Sequence, residues 1–340
     1  MSPFHPLPPF IKNIFIMDIS HVILYAIVPI IVVMLAGFIA GKKGAFSGDD
    51  AKKFNKVVLD FALPAALFVS IVQASREDLV KDIKLTIVST IGIMACFMIV
   101  YFVFKYCFKK NTGADAAVSA LISGSPTIGF LGFAVLEPIF GTSPAVALVV
   151  AIVGIVVNAI GIPVGLSLMN ASLEKQNPGS TKKESAWKPV LHALAQPVAW
   201  APILAVIWVV AGIPWPKELS PSFNLIAKAN ASMAVFSAGI TLSAIKIQIN
   251  WQAVLGSIMK MVMMPAVVLI LGLLFKMDPL NLKMLVVAAA LPPAFSGIII
   301  ADEYDTYVAT GTSSLTLSVI LFIGFCPLWI WLTDMALHAF

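Results

Sequence analysis

The stretch AALPPAFSGIIIADEYD, Ala289 to Asp305, decides how this chain folds. An apolar segment long enough to enter a bilayer is interrupted at Pro292 and Pro293, and it closes on acidic residues with no lysine among them. Proline inside a helix removes a backbone hydrogen bond and presses its ring on the preceding turn, a cost of about 3 kcal/mol. In lipid no water repairs that loss, so a break persists where surrounding protein uses the freed groups. A second stretch repeats the pattern. SPTIGFLGFAVLEPIFG, Ser125 to Gly141, breaks at Pro126 among Ser123, Gly124, Ser125, Gly129 and Gly132, small residues that let helices cross closely.

The rest of the chain is membrane-like. Of 340 residues, 60% are hydrophobic and 11% charged, with a mean hydropathy of +0.98, more apolar surface than a water-soluble domain can cover. The chain reads as an all-α polytopic membrane protein, because a segment in lipid must satisfy its own backbone and a helix does so. Ten apolar runs lie near 19–41, 55–74, 84–107, 114–139, 144–168, 190–213, 222–244, 252–275, 280–302 and 305–332. One longer polar link, Asn170 to Pro189, divides them into five and five. The expected organisation is an N-terminal extension (1–18), a first five-helix repeat (19–168), a cytoplasmic link (169–189) and a second five-helix repeat (190–340). The first sixteen residues lack the basic start and cleavage site of a secretory signal, and Met17 offers an alternative start. Cys96, Cys107 and Cys326 lie in or beside apolar runs and read as small hydrophobes. Neither a metal nor a cofactor is expected.

Lysine sets the orientation. With the N-terminus outside, thirteen lysines, among them Lys42, Lys52, Lys105, Lys109 and Lys182, fall in cytoplasmic links, whereas seven basic residues, among them Arg76, Lys217, Lys276 and Lys283, fall outside. Basic residues near span ends stay cytoplasmic, so both termini are expected on the extracellular or periplasmic side of the plasma (inner) membrane. The net charge of +5 reflects this bias and gives no reason to expect a nucleic-acid partner.

The halves resemble each other. LPAALF from Leu63 aligns with ASMAVF from Ala231 at an offset of 168, Pro126 with Pro292 and Glu137 with Glu303 at 166, and Pro163 with Pro327 at 164. Because each half has an odd number of spans, the second copy runs through the membrane in the opposite sense, as in many transporters. A chance match of apolar segments is the competing reading.

If the fourth and ninth spans cross at their breaks, the half-helices beyond begin with free N–H groups on Thr127, Ile128, Ala294 and Phe295, and their positive dipole ends point at one place. That place suits an anion. Hydroxyls of Ser125, Thr127 and Ser296 and the amide of Asn158 would add donors around Pro126, Pro292 and Pro293. Arg76 is the single arginine and lies in a predicted link, so no guanidinium clamps the anion within the membrane.

These residues carry a resemblance. AALPPAFSGIIIADEYD is similar to the ninth-span segment of the auxin efflux carrier family, which pairs an AALP break with an A-x-E-Y ending, and GFLGFAVLEPIFG and the Asn158 to Pro163 spacing resemble its fourth and fifth spans. The short central link is similar to the bacterial branch. The resemblance implies ten helices in two inverted five-helix repeats with crossing broken helices, akin to the bile-acid/sodium symporter build. It also implies a scaffold of spans 1, 2, 6 and 7, and an elevator-type transport unit of spans 3–5 and 8–10. It implies a small organic anion as cargo, with a malonate- or malate-type dicarboxylate preferred and a monocarboxylate such as an indole acid as the alternative. Family members often carry asparagine after the fourth-span proline, where this chain has Thr127. The coupling ion, H+ or Na+, stays open, and a homodimer is the expected assembly in the bilayer.

Charged residues inside spans are functional candidates by default. Asp60 and Lys228 occupy equivalent repeat positions, and Lys260 lies deep in the eighth span, either as a second counter-charge for a dicarboxylate or as a structural tether. Asp302 and Glu303 end the ninth span before a turn, where a gating or coupling role competes with simple tolerance. No HExxH or GxSxG motif supports an intramembrane enzyme. A channel or a sensor remains the rival class.

Overall fold

The computed structural model describes residues 23–73, 83–176, 197–244 and 250–339. Its helices are α1 (Ile23–Lys42), α2 (Gly48–Ile71), α3 (Ile83–Tyr106), α4a (Gly113–Ser123), α4b (Ile128–Phe140) and α5 (Pro144–Gln176) in the first half. The second half holds α6 (Pro197–Ala211), α7 (Lys217–Ala244), α8 (Trp251–Leu274), α9a (Pro279–Ala290), α9b (Phe295–Glu303) and α10 (Val308–Ala339). Seven of these are long and apolar enough to cross a membrane. The chain is an all-α polytopic membrane protein.

Several helices outrun their apolar stretches. α2 starts at Gly48 and not near 55, because Ser47 and Asp50 form a reciprocal capping box. Lys52, Lys53 and Lys56, expected in a link, therefore ride exposed on its first turns while Ala51 is buried. α5 continues to Gln176, so the front of the central link is helical, and 177–189 falls outside the described residues. Arg76 and Lys182 also lie outside them. Lys283, expected in an outer link, is buried on α9a in an ion pair with Asp334 of α10, so it carries no information about orientation.

Prolines within the spans leave a local signature. Pro29, Pro64, Pro163 and Pro265 each stand two residues after a π-helical segment: Ile23–Ile27, Val58–Ala62, Val156–Gly161 and Met259–Met263. The N–H groups of Leu63, Ile162 and Met264 reach back five residues, to Val58, Val157 and Met259. Proline cannot donate and crowds the carbonyl four residues back, and a widened turn accommodates both defects. Asp60, Asn158 and Lys260 each sit in one of these turns.

Packing divides the helices into two groups. α1 crosses α7, and α2 packs on α6 and α7. The first crossing brings backbones together: a Cβ added at Gly37 would meet the Phe236 oxygen at 2.1 Å, and one at Gly239 the Met34 oxygen at 2.0 Å. Phe68, Trp208, Trp215 and Phe223 join α2, α6 and α7 with edge-to-face and stacked rings. In the other group, α4a packs on α3, α5 and α9b, and α8 packs on α3, α9a and α10. The groups meet where α4b lies on α7 and α5 on α2.

Candidate functional site

α4a and α9a have 11 and 12 residues, about 16–18 Å at 1.5 Å per residue, half the roughly 30 Å of hydrocarbon a bilayer offers. Each ends at small residues and proline, and there the two chains meet. Pro126 faces Pro293 in an isolated antiparallel bridge. The Thr127 N–H donates to the Pro292 carbonyl at 2.9 Å, and the Ala294 N–H donates to the Ser125 carbonyl at 3.0 Å. Bonds to the flanking residues make Pro126 and Pro293 a non-hydrogen-bonded pair, the position in an antiparallel ladder that asks for no N–H. Proline therefore breaks both helices and fits the pairing that replaces them. Thr127, at φ −78° and ψ 53°, forms an inverse γ-turn closed by the Ile128 N–H on the Pro126 carbonyl at 2.9 Å.

This geometry corrects the sequence expectation twice. The bridge equates Pro126 with Pro293, one residue beyond the alignment with Pro292. Of the four N–H groups expected to be free, those of Thr127, Ile128 and Ala294 are used internally. The Phe295 N–H, at the head of α9b, donates to no backbone carbonyl among the described residues. Across the bridge, Thr127 is 2% exposed and its hydroxyl has no hydrogen-bond partner, an orphaned donor in a place that strongly disfavours one.

Around the crossing, Ser125 is buried and Ser296 half-buried. A Cβ at Gly161 would lie 3.9 Å from the Ser125 hydroxyl oxygen, which puts the widened turn of α5, with half-buried Asn158, beside the break. Phe130 and Phe295 meet edge to face at 5.7 Å and pack with Val58 of α2, Ala234 and Ala238 of α7 and Leu315 of α10. An apolar seam thus separates the break from α2 and α7.

Lys260 is fully buried and donates to the Ala289 carbonyl at the C-terminal end of α9a and to the Met264 sulfur. An amino group donating there sits at the negative end of the half-helix dipole, the contact that a structural tether would make. Sequence reasoning missed its acceptor, a main-chain oxygen 29 residues away. At the other break, Ser257 of α8 donates to the Ser314 carbonyl at 3.0 Å, and the hydroxyls of Ser123 and Ser314 are 3.4 Å apart. Asp60 is half-buried in α2, and the structure does not bring Lys228 to the crossing. Asp302 and Glu303 end α9b, and Asp305 and Tyr307 beyond them adopt positive φ of 46° and 60°. The Tyr307 hydroxyl anchors this turn by donating to Gln252 at 2.8 Å, and burial pushes its phenol up.

A polytopic chain in which two broken helices meet at their breaks has the build of a secondary transporter. The chain belongs to the membrane transport protein family, whose pattern matches residues 22–330, and it is a bacterial-type member of the auxin efflux carrier group that its motifs resemble. It is 49% identical to the uncharacterized transporter YfdV of Escherichia coli over 307 residues, 90% of this chain and 96% of that one. An uncharacterized transporter of Methanocaldococcus jannaschii is 23% identical over 312 residues, covering 89% and 96%. A Rhizobium meliloti protein whose name proposes malonate transport is 23% identical over 307 residues, covering 88% and 92%. The protein is a membrane transporter and not an enzyme.

Proposed function

We propose that the transporter carries a small carboxylate, bound where the two breaks cross, by alternating access. The observation that carries this reading is the buried, unpartnered Thr127 hydroxyl, on a residue whose N–H is bonded to Pro292, three residues before the head of α9b, at the Pro126–Pro293 bridge. Donors on a helix N-terminus favour an anion, and amide or hydroxyl donors also let it go, as a carrier requires. The division of packing supports α3–α5 and α8–α10 as an elevator-type body that moves against α1, α2, α6 and α7, in two inverted repeats. The lysine asymmetry supports both termini outside the plasma membrane. A homodimer and a coupling ion, H+ or Na+, belong to the same reading.

A malonate-type dicarboxylate is the preferred cargo, in keeping with the name of the Rhizobium relative. One observation favours a monocarboxylate instead: Lys260, the deep cation that could meet a second carboxylate, is held by the Ala289 carbonyl. Counterflow in proteoliposomes tests the whole. Thr127→Val and Asn158→Ala should each weaken carboxylate exchange about tenfold or more, the worth of one hydrogen bond to a charged group. Pro126→Ala and Pro293→Ala should fold and lose exchange together. Wild-type exchange in Thr127→Val and Asn158→Ala would place the anion elsewhere, and flux without counter-substrate acceleration would indicate a channel.

A further inference from the structure

A cavity of about 690 Å³ opens along the seam between the two groups of helices, away from the crossing. It is walled by α2 at Ala66 and Ser70, by α4b at Phe133 and Glu137, and by α7 from Pro221 to Ala231, and no residue of the bridge lines it. Its size suits a small organic ligand. Three features of its wall call for a guest. Asn230 lines the cavity at 1% exposure, and neither its amide nitrogen nor its carbonyl oxygen has a partner. A buried primary amide left empty at both ends is costly unless something enters to complete it. Lys228 stands two residues before it, at a turn between the helical segments Ser220–Ala227 and Ala229–Ala244, and lines the same space. Glu137, half-buried on α4b, lines it from the other group of helices. No ion pair among the described residues joins Glu137 to Lys228, so each charge faces the cavity uncommitted.

We propose that this cavity is a second anion site, a station that a carboxylate occupies before or after the crossing, and this rests on the carboxylate-carrier reading above. The Lys228 ammonium and the Asn230 amide N–H groups take the carboxylate, a charge-assisted set of donors. Glu137 faces the rest of the ligand. A second negative charge there meets repulsion, whereas a hydroxyl or a protonated carboxyl donates to the Glu137 oxygens. The site therefore selects carboxylates of single negative charge that carry a hydrogen-bond donor, such as a hydroxy acid or a half-protonated dicarboxylic acid. Selection at this station separates the two tasks of a carrier. The crossing binds any small carboxylate through main-chain and hydroxyl donors, and the cavity decides which ones reach it.

Cysteine protection tests the proposal on the full-length protein in liposomes. Cys96 and Cys326 are buried, so Cys107→Ser with Ser70→Cys leaves one reactive thiol, placed in the cavity wall. Glycolate, acetate and malonate are the probes, and an impermeant methanethiosulfonate is the reagent. Glycolate should slow labelling and acetate should do so less. Lys228→Met and Asn230→Leu should each raise the half-protecting glycolate concentration about tenfold, equivalent to 1.4 kcal/mol. Lys228 is exposed, so its variant should fold normally. Glu137→Gln should erase the preference for glycolate over acetate and let malonate protect as its dianion, where the parent protein admits it only half-protonated. Labelling untouched by every carboxylate that the same liposomes exchange would overturn the second site and leave the crossing intact, as would undiminished protection in both Lys228→Met and Asn230→Leu. Protection without exchange of any carboxylate would support the cavity and refute the carrier reading.

Discussion

The breaks in α4 and α9 share a proline and a bridge, and they differ in what surrounds them. Behind α9a stands Lys260, whose ammonium closes the helix end on the Ala289 carbonyl. Behind α4a stand the hydroxyls of Ser123, Ser257 and Ser314. α3, the counterpart of α8 in the first half, has no basic residue between Lys84 and Lys105. Beyond the bridge the contrast continues. A Cβ at Gly297 of α9b would meet the main chain of α4a, Ile122 N and Leu121 C, at 2.9 Å, whereas one at Gly129 of α4b would meet only leucine side chains, the nearest at 3.2 Å. The α9 break is held by a charge and by backbone contact. The α4 break is held by weaker groups, and it carries the orphaned Thr127 hydroxyl. One break is fixed like a wall, and the other carries the unpartnered donor on which the proposed carboxylate site rests.

Four substitutions would sharpen or break this comparison. Gly297→Ala should be the most damaging, because neither backbone can give way; overpacking at its upper range costs about 3 kcal/mol, read as a fall in thermal midpoint in detergent, with exchange lost. Gly129→Ala should stay within about 0.5 kcal/mol, and equal losses at the two glycines would erase the distinction. Lys260→Met strands the Ala289 carbonyl and should cost about 2 kcal/mol, visible in the same melt; a neutral result would make the lysine dispensable to the wall. Ser257→Ala should be milder than Lys260→Met, at about 1 kcal/mol for one neutral hydrogen bond. A larger loss there than at Lys260 would reverse the assignment of the stiff and the adaptable break.

Much of this was legible in the chain, for definite reasons. Apolar runs of span length announce helices because lipid leaves the backbone no other option, and Pro126 and Pro292–Pro293 announced the breaks. The register of the crossing was not legible, since whether Pro126 meets Pro292 or Pro293 depends on how two helices approach in space. The same holds for Lys260 and Lys283, whose partners are a main-chain oxygen on α9a and Asp334, 51 residues on. α2 outran its apolar run because a capping box and exposed lysines continue the helix past the hydrocarbon. Asn230 left a faint signal, a second polar residue two places after Lys228 in an apolar span, and its orphaned amide needed coordinates to be seen.

The stapled crossing has a consequence for direction. Two main-chain bonds fix Thr127 against Pro292 and Ala294 against Ser125, so in the proposed alternating-access cycle the donors would travel with the bridge, and their spacing would be the same facing either solution. A site that keeps its geometry on both sides binds with equal strength on both, and a carrier of that kind has no preferred sense of its own. Net flux then follows the concentration and charge gradients of cargo and coupling ion. On the proposed carboxylate reading, import or discharge would be set by the gradients that the cell maintains, and reversing the gradients across a liposome should reverse the flow at the same half-saturation.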